Sequence, residues 1–217
     1  MTSSTDLAAL ICSRLCHDLL SPIGALSNGL ELLADEHNPE MRARCMELLD
    51  QSAKISADKL KFFRLAFGAA GGFGSTVDAS EPKALVEGLL GADSKVELDW
   101  SVGPSHLTKP ATKVLLNLSA IGLDALPRGG QLAIGAEDHD GATEIAIRAS
   151  GPRIAFDSGI GQALDGSLPE DELSGRTAPA HMIRLIATEA GGGVQYALTE
   201  EALVMGAVLP QAEGMIG

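Results

Sequence analysis

A long apolar seam near the start of the chain constrains the fold more than any other feature. Its members are separated by alternating steps of four and three residues: Cys12, Cys16, Leu19, Ile23, Leu26, Leu30 and Leu33. This spacing is the heptad pattern of α-helices that pack side by side. The predicted helix runs from about Asp6 to Asp35 and, at 1.5 Å per residue, would be ~45 Å long. A helix of that length is typical of a helical bundle.

A second long helix is predicted after a short turn. Asn38 followed by Pro39 is a strong helix start, and the helix is expected to reach Phe67. Its seam consists of Met41, Cys45, Leu48, Ser52, Ile55 and Phe62. Two such helices form a hairpin, and one hairpin cannot cover both of its apolar faces. Pairing two hairpins about a two-fold axis gives a four-helix bundle, so we expect a homodimer.

The composition changes after this hairpin. Glycine and alanine dominate residues 68–75, which favours a linker at 71–80 between a helical hairpin at 1–70 and a second domain at 81–217. The predicted elements of the second domain are helices at about 82–90, 110–125 and 179–190 and strands at about 95–102, 131–136, 143–149, 194–198 and 202–209. Residues 150–174 are predicted to be rich in loops. Helices on one face of a mixed sheet make an α/β sandwich, so the expected fold class is an α hairpin followed by α/β.

His17 faces outward from the first helix if the seam occupies heptad positions a and d, because it then falls at position b. Ser13, Ser21 and Gly24 lie on the same face, so small side chains surround the imidazole. A surface histidine commonly has no special role. An exposed imidazole among small neighbours on a rigid helix also suits a partner that must reach its ring nitrogen.

Pro22 affects the backbone just after this histidine. Proline has no N–H to donate to the carbonyl of Asp18, so the helix is expected to bend there and leave that carbonyl free.

The string His17-Asp18-Leu19-x-x-Pro22 resembles the phosphoacceptor box of two-component histidine kinases. Together with the preceding Arg14-Leu15-Cys16 and the later run Asn28-Gly29-Leu30-Glu31-Leu32-Leu33, it resembles the ChpT-type histidine phosphotransferases of alphaproteobacteria.

This resemblance implies a set of catalytic roles. His17 would accept the phosphoryl group on its outer ring nitrogen, and Asp18 would orient the ring through its side chain or its freed carbonyl. Arg14 would steady phosphate charge one turn earlier, and Ser21 would position the group or a water one turn later. Imidazole suits this chemistry because its neutral nitrogen is a good nucleophile near pH 7.

The second domain resembles the Bergerat ATPase domain that follows the bundle in histidine kinases, but its nucleotide contacts are altered. The Mg²⁺ position is Ile121, which offers no oxygen ligand. The adenine-binding aspartate corresponds to Ala149. The phosphate loop, residues 175–179, keeps one glycine and ends in Pro179, which has no N–H for phosphate. We therefore expect a degenerate ATPase-like domain without a nucleotide site.

No cofactor or metal is expected on this chain. Cys12, Cys16 and His17 do not share a helix face, and the sequence has no CxxC pair. Arg153 and Arg176 could still bind an anion, although loop arginines commonly serve solubility.

The expected function is a phosphorelay, because a phosphoacceptor without ATP can still move phosphate between aspartates. The resemblance implies a hybrid kinase receiver as donor and response regulators as acceptors, with Mg²⁺ bound by the receiver. Ser13, Leu20 and Gly24 would meet the receiver, with the sandwich touching its flank. The alternatives are an ATP-dependent histidine kinase with an unusual site and a non-catalytic dimeric scaffold for receiver domains.

Charge, hydropathy and cysteine content limit the possible partners and the cellular location of the protein. The formal net charge of −13 argues against nucleic acid and anionic membrane surfaces as partners. The sequence shows no apolar run that approaches the ~20 residues needed to span a bilayer, and its first residues lack the basic region of a signal peptide. No membrane insertion is therefore expected. The three cysteines are interpreted as reduced and buried, which favours a cytoplasmic protein.

Overall fold

The computed structural model describes residues 3–68, 75–91 and 94–211, which form an α hairpin and an α/β sandwich. The helices are α1 (Ser4–Asp35), α2 (Pro39–Ala66), α3 (Ser80–Leu90), α4 (Lys109–Asp124), α5 (Ser158–Asp165) and α6 (Ala178–Glu189). The strands are β1 (Thr76–Asp78), β2 (Val96–Val102), β3 (His106–Thr108), β4 (Gly130–His139), β5 (Ala142–Ser150), β6 (Gly193–Leu198) and β7 (Ala202–Pro210). A 3₁₀ turn spans Glu170–Glu172.

The two predicted hairpin helices are confirmed, and their starts follow from capping. The Ser3 hydroxyl accepts a hydrogen bond from the Asp6 backbone N–H at 3.1 Å, and the Asp6 carboxylate accepts one from the Ser3 backbone N–H at 3.3 Å. At α2, Asn38 accepts from the backbone N–H of Glu40 at 2.9 Å, with Pro39 in the first turn as predicted. Both caps satisfy backbone donors that have no partner inside the helix.

Only part of each apolar seam is buried in the folded chain. The buried or half-buried members are Leu19, Leu26 and Leu33 on α1 and Cys45, Ser52 and Phe62 on α2. Apart from Cys12, which is also exposed, the exposed members recur every seven residues: Cys16, Ile23 and Leu30 on α1 and Met41, Leu48 and Ile55 on α2. We call this second set the exposed stripe. A single hairpin therefore leaves a heptad-spaced apolar surface without a partner in the described chain.

The prediction that all three cysteines are buried is wrong for two of them. Cys45 is buried, whereas Cys12 and Cys16 are exposed, and all three thiols are free. Cys16 belongs to the exposed stripe, and Cys12 lies one turn before it on α1.

By length and composition, α1 could cross a membrane. The sequence had been expected to contain no such segment. An 18-residue window within Ser4–Asp35 has a mean hydropathy of 1.2, and 11% of that window is buried. The core helix of a soluble protein and a signal sequence pass the same test of length and composition.

The sandwich is built on one mixed sheet with the strand order β2-β4-β5-β7-β6. β2 and β4 are parallel, and the other neighbours are antiparallel. α4 lies over the sheet so closely that a Cβ built on Gly122 would be 2.8 Å from Leu132 and 3.2 Å from Ile147. The predicted mixed sheet with helices is confirmed.

Two strands and one α-helix were not predicted from the sequence. β1 and β3 form a separate antiparallel pair, with Val77 opposite Leu107, and α5 lies in the stretch predicted to be loop. β1 falls within the predicted linker at 71–80, of which residues 71–74 lie outside the described residues. The division into domains at 1–70 and 81–217 stays a prediction.

Contacts between the hairpin and the sandwich set the position of His17. The side-chain amide of Asn117, on α4, donates to the backbone carbonyl of Ala66 at the end of α2, at 3.3 Å. On the other side, α1 packs against α6. The first half of α1 therefore lies beside the sandwich.

Candidate functional site

The side chain of His17 is 85% exposed on α1, as predicted. Ser13 and Ser21, one turn to either side, are also exposed. Leu20 is 68% exposed, and a Cβ built on Gly24 would meet nothing within 4 Å. The face around the imidazole is therefore open to a large partner.

Asp18 holds one nitrogen of the imidazole. Its Oδ1 lies 3.2 Å from His17 Nδ1, and we assign the hydrogen to Nδ1, because a carboxylate can only accept. In that tautomer Nε2 keeps its lone pair and is the nucleophilic atom. The expected orienting role of the Asp18 side chain agrees with this geometry.

The other oxygen of Asp18 binds Arg14. Arg14 Nε lies 2.6 Å from Asp18 Oδ2, and Arg14 Nη2 lies 3.5 Å from Oδ2 of Asp124 on α4. The guanidinium therefore links α1 to the sandwich through two carboxylates. The expected role of Arg14 in steadying phosphate charge stays a prediction.

Lys59 donates a hydrogen bond to the backbone carbonyl of Asp18, which Pro22 leaves without its helical donor. Its Nζ donates to the Asp18 carbonyl oxygen at 2.9 Å, across the hairpin from α2. This contact was not predicted from the sequence. The free carbonyl that Pro22 implies was the one sequence feature that could have indicated it, because a half-buried carbonyl without its helical donor needs another donor.

His17 lies on the rim of a cleft of about 560 Å³ between α1 and the sandwich. The lining residues are Ser13, Arg14, His17, Ile121, Asp124, Ala155, Phe156, Asp157, Ile160, Gly175 and Arg176. Of the predicted site residues, Ser13, Arg14 and His17 meet here, whereas Asp18, Leu20, Ser21 and Gly24 are not among the lining residues.

The sandwich side of the cleft carries charged residues that the sequence analysis did not connect with His17. Arg176 Nε lies 3.0 Å from Asp157 Oδ2. The pKa of Asp124 is raised, because surrounding protein atoms remove water from its carboxyl group, while the positive charge of Arg14 opposes the shift. The Asp124 side chain nevertheless keeps 69% of its surface exposed, so solvent limits this effect.

Two of the positions that the ATPase resemblance assigns to nucleotide contacts are buried in this fold. Ala149 is fully buried in β5, and Ile121 is buried at the cleft wall. Pro179 lies in the first turn of α6. Within the described residues, no group of three or more His, Cys, Asp or Glu side chains is arranged to hold a metal ion.

The chain is similar to several known proteins. The family model of the histidine phosphotransferase C-terminal domain matches residues 79–202. The protein phosphotransferase ChpT of Brucella abortus (strain 2308) is 35% identical over 205 residues, covering 94% of this chain and 96% of that protein. A bacterial phosphotransferase of known structure is 34% identical, with a TM-score of 0.83 over 95% of this chain and 98% of that chain. The Acinetobacter baumannii histidine kinase AdeS is 15% identical, with a TM-score of 0.48 over 91% of this chain and 98% of that chain.

Proposed function

Because the chain belongs to the histidine phosphotransferase family that includes ChpT, we propose that it relays phosphoryl groups between receiver domains through His17. The donor is the phosphorylated aspartate of a hybrid kinase receiver, and the acceptors are aspartates of response regulators. The observation that carries the proposal is the exposed imidazole of His17, whose Nδ1 is held 3.2 Å from Asp18.

In the transfer step one bond forms, from phosphorus to the imidazole, and one bond breaks, in the acyl phosphate. The Nε2 lone pair attacks phosphorus, the bond between phosphorus and the aspartyl oxygen breaks, and the receiver aspartate leaves as a carboxylate. The imidazole keeps its hydrogen on Nδ1 and becomes positively charged, so the adjacent Asp18 carboxylate stabilises the phosphorylated form. The reverse sequence loads the next receiver.

The receiver is proposed to dock on the open face of α1. Leu20 offers an exposed apolar side chain one turn after His17, and Gly24 leaves room for a close approach one turn further on. Ser13, which lines the cleft with His17, is also proposed to contact the receiver, and Ser21 is proposed to position the phosphoryl group or a water. The Mg²⁺ that phosphoryl transfer uses is expected in the acidic pocket of the receiver.

We propose a homodimer in which the exposed stripe is covered by the same stripe of a second hairpin. Stripe residues recur every seven positions on both α1 and α2, which is the spacing that a four-helix bundle buries. This also accounts for the high hydropathy of α1 without membrane insertion, in keeping with a cytoplasmic protein. Nucleic acid is not among the proposed partners.

The relay is tested with a panel of hybrid kinase receiver domains loaded with labelled acetyl phosphate and freed of excess donor. A cognate receiver is expected to pass label to the protein in the absence of ATP, and His17→Ala is expected to abolish uptake. His37→Ala, which removes an exposed histidine in the α1–α2 turn, is the matched control. Equal labelling of His17→Ala and the unmodified protein would contradict the proposal.

A further inference from the structure

The cleft beside His17 contains a cation that the relay, as proposed above, does not use. Arg176 lies in the loop before α6 and lines the cleft together with His17. Its Nε contacts Asp157 Oδ2 at 3.0 Å, while Asp157 Oδ1 accepts the Gly159 backbone N–H at 2.8 Å and caps α5. Arg176 is therefore held in place by a residue that is itself fixed at a helix start. The contact engages Nε, so the terminal amino groups of the guanidinium are available to another acceptor.

Arg14, the other cation of this cleft, is already engaged on two sides. Asp18 binds its Nε at 2.6 Å, and Asp124 lies 3.5 Å from its Nη2. A phosphoryl group that used Arg14 would have to compete with both carboxylates. Among the described residues, Arg176 forms one ion pair, through Nε with Asp157, and the charge of the nearby Asp124 also acts on it. No ion pair engages its two terminal amino groups among those residues.

The loop that carries Arg176 is fitted closely against α1. A Cβ built on Gly175 would lie 3.3 Å from the Leu10 carbonyl oxygen and 3.6 Å from the Arg14 backbone nitrogen. A side chain at this position would crowd the helix turn that precedes His17, because the Leu10 carbonyl would have to give way by a few tenths of an ångström. Gly175 thus brings its neighbour Arg176 to the same cleft as the imidazole.

We propose that Arg176 binds the oxygens of the phosphoryl group on His17 and is a catalytic residue contributed by the sandwich. The planar guanidinium suits this task because its terminal N–H groups can donate in parallel to two phosphate oxygens. The inference rests on the proposed function, since the relay brings the phosphoryl group to His17. It gives the second domain a direct part in the chemistry.

The test uses potassium phosphoramidate as a small phosphoryl donor, alongside the phosphorylated receiver. With phosphoramidate, the bond between phosphorus and the amine breaks, ammonia leaves, and the bond from phosphorus to Nε2 forms without any partner protein. Arg176→Ala is expected to slow labelling of His17 from both donors about 10- to 100-fold, the loss expected for a hydrogen bond to a charged group. Arg176→Lys should recover part of the rate, because lysine keeps the charge but loses the paired geometry.

Arg153→Ala is the matched control, because Arg153 is an exposed loop arginine of the same domain that does not line the cleft. Thermal unfolding of each variant checks that the fold is kept. A wild-type rate for Arg176→Ala with phosphoramidate overturns the inference. So does a loss confined to the receiver reaction, since that result would make Arg176 a docking residue. If phosphoramidate shows the expected loss but no receiver labels the unmodified protein, the relay fails and the role of Arg176 stands.

Discussion

At the scale of single residues, Asp18 is the centre of the site because it serves His17, Arg14 and Lys59 at once. One carboxylate oxygen faces His17 Nδ1, the other faces Arg14 Nε, and its backbone carbonyl accepts from Lys59. The sequence implied the first of these contacts through its resemblance to histidine phosphotransferases, in which Asp18 would orient the ring. It could not predict the contacts of Lys59 with Asp18 and of Asp124 with Arg14, because these partners lie 41 and 110 positions apart in the chain.

Removing the Asp18 carboxylate should change the hydrogen position on the imidazole. In Asp18→Ala, the Nδ1–H form of His17 loses its acceptor, so its population falls and phosphoryl uptake slows by about 10-fold or more. Nitrogen chemical shifts of His17 measure the tautomer, and receiver labelling measures the rate. An unchanged tautomer population in Asp18→Ala would refute the orienting role.

Asp58 provides a prediction on pH at the same scale. The hydrogen bond from Lys54, at 2.7 Å, and a weaker one from Lys61 hold the pKa of Asp58 below 3.8, against the effect of burial. A carboxyl group whose pKa is lower in the folded state stabilises the protein above its unfolded pKa, and that contribution is lost as the pH falls through the folded value. Asp58→Asn should therefore cost about 0.5–1 kcal/mol in unfolding free energy at pH 7 and progressively less below pH 3.8.

The exposed Asp50, on the same helix, gives the control substitution Asp50→Asn. Urea unfolding at pH 7 and at stepwise lower pH provides the comparison. A cost of Asp58→Asn that stays constant into the acid range would count against the assigned ion pairs.

At the scale of elements, the long helices were predictable because their period and caps agree. α5 was not, because two of its eight residues are glycines, which normally indicate a loop. The structure supplies the reason for one of them: a Cβ on Gly161 would collide with the hydroxyl of Tyr196 on β6. Close packing against β6 therefore requires this glycine in α5, and no local sequence pattern indicates that packing. β1 and β3 have three residues each, too few to show a period.

The contact between Lys59 and α1 makes a prediction for the hairpin. Lys59→Met leaves the Asp18 carbonyl without its donor and should lower the unfolding free energy by about 1–3 kcal/mol. In a Pro22→Ala background the new backbone N–H at position 22 can bond to that carbonyl, so Lys59→Met should cost less. Urea unfolding of the four proteins in this cycle gives the coupling. An equal cost in both backgrounds would show that the two residues do not share the carbonyl.

At the scale of the whole molecule, the exposed stripe predicts the assembly. Leu30 belongs to the stripe and is 59% exposed, whereas Leu32 lies outside it and is 64% exposed. Leu30→Glu should convert the dimer to a monomer, because it places a charge in the buried seam, and Leu32→Glu should leave the dimer intact. Light scattering after gel filtration distinguishes twice the 22.4 kDa chain mass from the single chain. A monomeric unmodified protein, or equal effects of both substitutions, would contradict the paired-hairpin assembly.

One end of the hairpin lies beside the sandwich, in which the residues at the expected nucleotide-contact positions differ from the histidine kinase pattern. The central claim is that His17 is phosphorylated by a receiver domain and not by ATP. The most direct measurement is mass-spectrometric mapping of the phosphorylated residue, under conditions that preserve phosphohistidine. The protein is mixed either with a phosphorylated receiver without ATP or with ATP and Mg²⁺ without a receiver. We predict phosphorylation of His17 in the first mixture and none in the second. Phosphorylation at another residue in the first mixture, or of His17 by ATP alone, would contradict the account.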